Sequence, residues 1–173
     1  MIDYMRAILN ETFDPEQIQA LWGLTQNEWR TLQQRKLVDS SEKPHGTTKR
    51  TVMSIVQAIS LGIQMALVKE IGLSYGDAHN LVREVSGEVE KLFLAPEPAR
   101  RALLYAVAKQ GPNDRPVWMP ITPDSLVSTV DAKLGGAWVV LDVVHYVNKV
   151  CDEIAERDPQ YKKWLARKIA GDN

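Results

Sequence analysis

The sequence predicts an α+β chain, mostly helical, with a helical part over residues 1–94 that carries one hairpin and a small α/β module over residues 98–173. Three observations predict this. Two complete sets of helix-start signals follow each other between Phe13 and Glu28, a turn-rich stretch separates two potential strands between Val38 and Arg50, and two strand-like segments flank "QGPND" in the second half. The composition agrees: 173 residues, 45% hydrophobic and 25% charged, are enough for one domain of ordinary size or two small ones. The longest strongly apolar run, Ala137 to Val144, is broken by Asp142 and falls short of the roughly 20 residues a membrane span needs. The start of the chain has acids at Asp3 and Glu11 and no basic stretch leading into an apolar one, so no secretory signal is expected. A single cysteine, Cys151, fits a reducing cytoplasm.

Residues 1 to 11 suit a short helix with Ile2, Met5, Ile8 and Leu9 on one face, as a packing or dimer-contact segment. In "FDPEQIQALWGL", Asp14 is placed as N-cap, Pro15 at the first helical position, Gln17 to complete a capping box, Phe13 to staple against Ile18, and Gly23 to end the helix. The same grammar repeats at once, with Thr25 as cap, Glu28 at the third position and Leu24 beside Trp29. Two short helices joined by "GLT" have the spacing of a helix-turn-helix. The stretch "VDSSEKPHGTTKR" then reads as a β-hairpin with Pro44 and Gly46 at its tip, the position of a wing. Thr51 is placed to cap a long helix from Val52, ended by Gly72, and Ser74 with Asp77 starts another that ends before Pro96.

The second short helix should bury Trp29, Leu32 and either the Lys36 stem or Leu37, and turn Gln26, Asn27, Arg30, Gln33 and Gln34 outward. Long amide and guanidinium side chains can read base edges and hold phosphates; a merely solvated helix face is the plain alternative. From Glu28 to Arg50 six basic residues face three acids, a local +3 that leaves −4 for the rest of a chain of net charge −1. A basic helix and hairpin in an otherwise acidic chain suit a protein that turns one face toward a phosphate backbone.

The motifs "FDPEQIQALWGLTQNEWRTLQQRKLV" and "KEIGLSYGDA" resemble the N-terminal DNA-binding domain of the MerR-type transcription regulators, over about residues 13 to 85. Thr25 fills that family's cap position, Arg30 its arginine and Leu37 its closing leucine. The resemblance implies a winged helix-turn-helix fold and a bacterial, cytoplasmic regulator that binds double-stranded DNA as a homodimer. It implies that Arg30 meets phosphate or a base edge and that the wing around Lys43 to Arg50 sits on the adjacent backbone. The expected DNA contacts are Thr25, Gln26, Asn27, Arg30, Gln33 and Gln34 from the helix, and Lys43, His45, Thr48, Lys49 and Arg50 from the wing. The chain departs from the family at Thr31, where an aromatic is usual, at Lys36, where glycine is usual, and at Arg50, where an aromatic precedes the long helix; the family's long C-terminal coiled coil is also missing.

In the second half, "RRALLYAVAK" and "RPVWMPI" read as a hairpin around "QGPND", with a helix from Pro98 to Lys109 as the alternative. A helix capped by Thr122 should follow, then a buried strand from Ala137 to Leu141. That strand should lead into a helix with Val144, Val147, Val150, Cys151 and Ile154 on one face, and a last short helix should span Tyr161 to Ile169. Dimerisation or sensing is the expected role of this module, with any small-molecule effector unspecified. Trp118, Trp138 and Tyr105 could line a pocket, although aromatic residues on strands are more often core. His145 and Cys151 lie about 240° apart around one helix and cannot share a metal. Asp142 reads as a cap, His79 as an interface or surface residue, and His45 as a wing-tip contact. With no Ser-His-Asp or Cys-His set and no phosphate-cradling glycine loop, neither catalysis nor a cofactor is expected. Two other uses of the same head remain open: bending DNA as an excisionase-like architectural protein, or docking another protein as an adaptor.

Overall fold

A computed structural model of the chain describes residues 11–45, 48–94, 104–108, 116–122 and 138–163. The fold is α+β. In chain order it comprises β1 (Thr12–Phe13), α1 (Pro15–Trp22), α2 (Gln26–Gln34), β2 (Ser41–His45), β3 (Thr48–Ser54), α3 (Ile55–Lys69), α4 (Tyr75–Leu94), β4 (Leu104–Ala108), β5 (Val117–Ile121), β6 (Trp138–Asp142) and α5 (Val143–Arg157). Residues 159–163 are also helical. No helix among the described residues is long and apolar enough to cross a membrane.

Both early helices start as their sequence signals dictate. Asp14 and Thr25 each accept the backbone N–H three residues on, and Gln17 and Glu28 reach back to the cap N–H groups. Gly23 ends α1 in the left-handed conformation at φ 60°, and Leu24 N–H closes the turn onto Gln19 O at 2.9 Å. The end of α2 repeats that turn without glycine. Lys36 stands at φ 53°, its N–H on Gln33 O and the Leu37 N–H on Leu32 O, the paired bonds of a Schellman turn.

Two antiparallel three-stranded sheets follow, with orders β1-β3-β2 and β5-β4-β6. Pro44 lies inside β2 opposite Lys49, one position short of the expected tip. β2 is an edge strand, where a missing N–H costs no ladder bond. Thr51 does not cap the long helix: β3 runs on to Ser54, because Thr51 pairs with Glu42, Val52 with Ser41, and Met53 and Ser54 with Phe13 and Thr12 of β1. Ser54 is the cap instead, in a capping box with Gln57. Gly72 and the Ser74–Asp77 start are as expected, Gly72 at φ 76° and the Asp77 N–H on Ser74 Oγ at 3.1 Å.

The α3 helix is the centre of the molecule, with ten of its fifteen residues buried. It packs against α4 along its length and against α5. One continuous hydrophobic cluster runs from Phe13, Ile18 and Trp29 through Ile59, Ile63 and Leu67 to Tyr105, Val147 and Ile154, crossing the boundary expected between residues 94 and 98. A smaller cluster of Ala106, Ala108 and Ile121 lines the other side of the second sheet.

The hairpin reading of the second half holds. Leu104 to Ala108 are strand, so the alternative helix up to Lys109 is excluded over those residues. The strand before α5 is less buried than expected: Leu141 is buried, but Val139 is 39% exposed on an outer strand. Asp142 caps α5 by accepting the Val144 N–H at 3.0 Å, and Val143 takes the core place expected of Val144. The helices expected over residues 1–11 and from Thr122, and most of that from Tyr161, lie outside the described residues.

Candidate functional site

The outward face of α2 is the most coherent polar surface that sequence and structure share. Successive helical residues advance by about 100°, so Gln26, Asn27, Arg30, Gln33 and Gln34 share an arc of about 120°. All five are exposed, as is the capping Thr25, while Trp29 and Leu32 on the opposite side are 3% and 0% exposed. Arg30, Arg35 and Lys36 are exposed too and make no ion pair among the described residues. Thr31, at the edge of the arc, turns its hydroxyl back onto Asn27 O at 2.8 Å.

Both ends of α2 are fixed to α3. At the start, Lys69 Nζ lies 3.5 Å from Glu28 Oε1 and 3.5 Å from Gly23 O, tying α3 to the turn between α1 and α2. The Glu28 carboxyl is held below its usual range first by the Thr25 backbone N–H, then by the Thr25 hydroxyl and Lys69, against a partial opposing effect of burial. At the far end, the buried Gln64 amide donates to Leu37 O at 3.1 Å. The sequence reading found neither anchor, because Gln64 and Lys69 lie far along the chain from their partners. A buried glutamine on an otherwise apolar helix was the available signal.

The hairpin places the remaining expected residues by register. Lys43 is opposite Arg50, Pro44 opposite Lys49, and His45 opposite Thr48, next to the tip. The basic positions of the hairpin therefore follow α2 through the short connection from Arg35 to Ser40.

Other candidates are differently placed. His79 is not a surface residue: it is 9% exposed, with Nδ1 3.4 Å from Gln64 Oε1. A polar residue of α3, Gln64, meets it there. Tyr105 is buried and stacks on Trp118 at 4.8 Å as part of the core. His145 is exposed and edge-on to Tyr146, whereas Cys151 is buried. No group of three or more metal-ligating side chains occurs among the described residues.

No protein-family model matches the chain, and no curated protein matches it.

Proposed function

We propose that the chain is a DNA-binding transcription regulator with a winged helix-turn-helix head, in which α2 enters a major groove and the β2–β3 hairpin follows the adjacent backbone. The observation that carries this reading is the outward arc of α2. Four exposed amides, which donate and accept hydrogen bonds, and one exposed guanidinium, which donates, stand on one helix whose ends are both tied to α3. A rigid helix presenting amides and a guanidinium suits base-edge recognition, where two-point contacts to adenine or guanine need fixed geometry. The net +3 from Glu28 to Arg50 supports a phosphate-facing surface, and the acidic remainder limits binding to random DNA. The left-handed Lys36 adds to the likeness with the MerR-type regulators, because it stands where that family carries glycine. In this reading the protein acts as a homodimer on a palindromic site, with the second half contributing to the dimer.

The test is enrichment of genomic DNA fragments on the purified protein, followed by sequencing, with Arg30→Ala alongside. One palindromic motif enriched by the wild type and lost in the variant is the expected result. Affinity should fall by orders of magnitude between about 50 and 200 mM salt. Substitution of Gln26, Asn27 or Gln33 should relax sequence preference by about 1–3 kcal/mol per lost two-point contact. No enrichment by either protein, or binding indifferent to salt, would sink the proposal and favour an adaptor that docks protein on the same face.

A further inference from the structure

A cleft of about 580 Å³ opens between α3, α4 and the segment that joins α2 to the hairpin. Its size is that of a small-molecule site. Polar groups in its wall are constrained in a way that core packing does not require. The Leu37 carbonyl can only accept, so the Gln64 atom 3.1 Å from it is the amide nitrogen. Gln64 Oε1 is then left to accept from His79 Nδ1 at 3.4 Å, which places a proton on Nδ1. Nε2 of this buried histidine has no partner among the described residues. Ser60, also in the wall, buries its Oγ without a hydrogen-bond partner. Buried polar groups are ordinarily paired, so the Ser60 hydroxyl marks a place for a ligand in this cleft.

The charge of the wall selects the ligand class. Lys36 and Arg83 are exposed at the cleft, and neither has an ion-pair partner among the described residues; Asp39 is the one acid lining it. Val38, Val56 and Val82 supply an apolar side.

We propose that this cleft binds a small amphipathic carboxylate. Its charged end is held by Lys36 and Arg83, and its apolar body lies on the valines. The proposal stands apart from DNA binding, since its site is not the arc of α2 and its test reads ligand binding directly.

Octanoate is the probe, with octanamide as its uncharged counterpart and inorganic phosphate as an anion without an apolar body. Each is titrated into the full chain by two-dimensional amide NMR. Octanoate should give saturable shifts at residues around Ser60, Gln64 and His79. Octanamide and phosphate should bind about tenfold or more weakly, as the loss of a charge-assisted contact dictates. A comparable loss is expected for octanoate on Lys36→Gln/Arg83→Gln, two exposed sites whose replacement leaves the melting temperature within a few degrees of wild type. Equal binding of octanoate and octanamide, phosphate binding as tight as octanoate, an undiminished affinity in the double variant, or no saturable shift with octanoate would each overturn the proposal.

Discussion

Lys36 occupies backbone space that side chains other than glycine enter at a cost. At φ 53° its Cβ crowds the neighbouring carbonyl, a strain of roughly 1–2 kcal/mol for an L-residue. Two backbone bonds of the Schellman turn and the buried Leu32 beneath hold it there. Lys36→Gly removes the crowding but adds chain entropy to the unfolded state, so the net gain is about 0.5–1 kcal/mol, or a rise in Tm of about 1–4 °C. Thermal melts of the pair decide it; an unchanged or lowered Tm would mean that the lysine side chain makes a compensating contact. Tyr146 makes a second residue-scale prediction. Burial first, then the carboxylates of Glu70 and Asp142, pushes its phenol up to about 12. A raised folded-state value favours the neutral form, so the contribution of this group is fully present below about pH 10 and is lost as pH rises toward about 12. Burial and Glu88 also push Tyr105 upward, so wild type alone does not isolate the effect. Tyr146→Phe should lose less stability between pH 9 and 12 than wild type does, by urea titration at each pH. Parallel pH profiles would remove Tyr146 from the alkaline transition.

At the scale of elements, α1 is locked to α3 through Trp22 and Gly62. A Cβ on Gly62 would lie 2.5 Å from the Trp22 ring. That ring cannot easily yield, since its Nε1 donates to Ala58 O at 2.9 Å, Tyr146 packs at 5.9 Å and Lys149 Nζ sits 4.9 Å from its centre. Gly62→Ala should therefore cost about 1–3 kcal/mol from overpacking, more than the roughly 1 kcal/mol that alanine gains over glycine in a helix. In a Trp22→Leu background the penalty should vanish and the same change become neutral or stabilising. A destabilisation that persists there would place the clash elsewhere. What the sequence revealed at this scale was local. Asp14 with Gln17, and Thr25 with Glu28, are capping pairs three residues apart, and the arc from Gln26 to Gln34 follows helical periodicity alone. The end of β3 was not legible, because Thr51 and Ser54 can both cap a helix and only pairing with Glu42 and β1 assigns Thr51 to a strand. The fastening of α2 to α3 was hidden for the same reason: Leu37 and Gln64 stand 27 residues apart, Gly23 and Lys69 46.

Across the whole molecule, the question is whether the two halves fold separately. The sequence suggests a break near residue 96, where Pro96 and Pro98 interrupt the helical pattern. The contacts run the other way. Val147, Val150 and Ile154 of α5 are fully buried in the same cluster as Ile59 and Ile63 of α3, Tyr146 packs on Trp22, and the Arg157 guanidinium lies 4.9 Å from the Phe13 ring centre. Removing α5 would uncover the apolar flank of α3, and isolated helices gain little without such a partner. The full chain should therefore unfold in one cooperative transition, with tryptophan fluorescence, reporting from Trp22 and Trp29 in the first half and Trp118, Trp138 and Trp164 in the second, coinciding with helical circular dichroism. Val150→Asp puts an unpaired carboxylate into that shared core, at a cost of several kcal/mol. Both signals should move together to lower denaturant in this variant when it is made in a background with Trp118, Trp138 and Trp164 replaced by phenylalanine, so that the substitution lies in the second half and the reporting Trp22 and Trp29 in the first. Two separated transitions in wild type, or a variant whose fluorescence midpoint stays put while part of its helical signal is lost, would establish independent domains and confine α5 to a docked accessory.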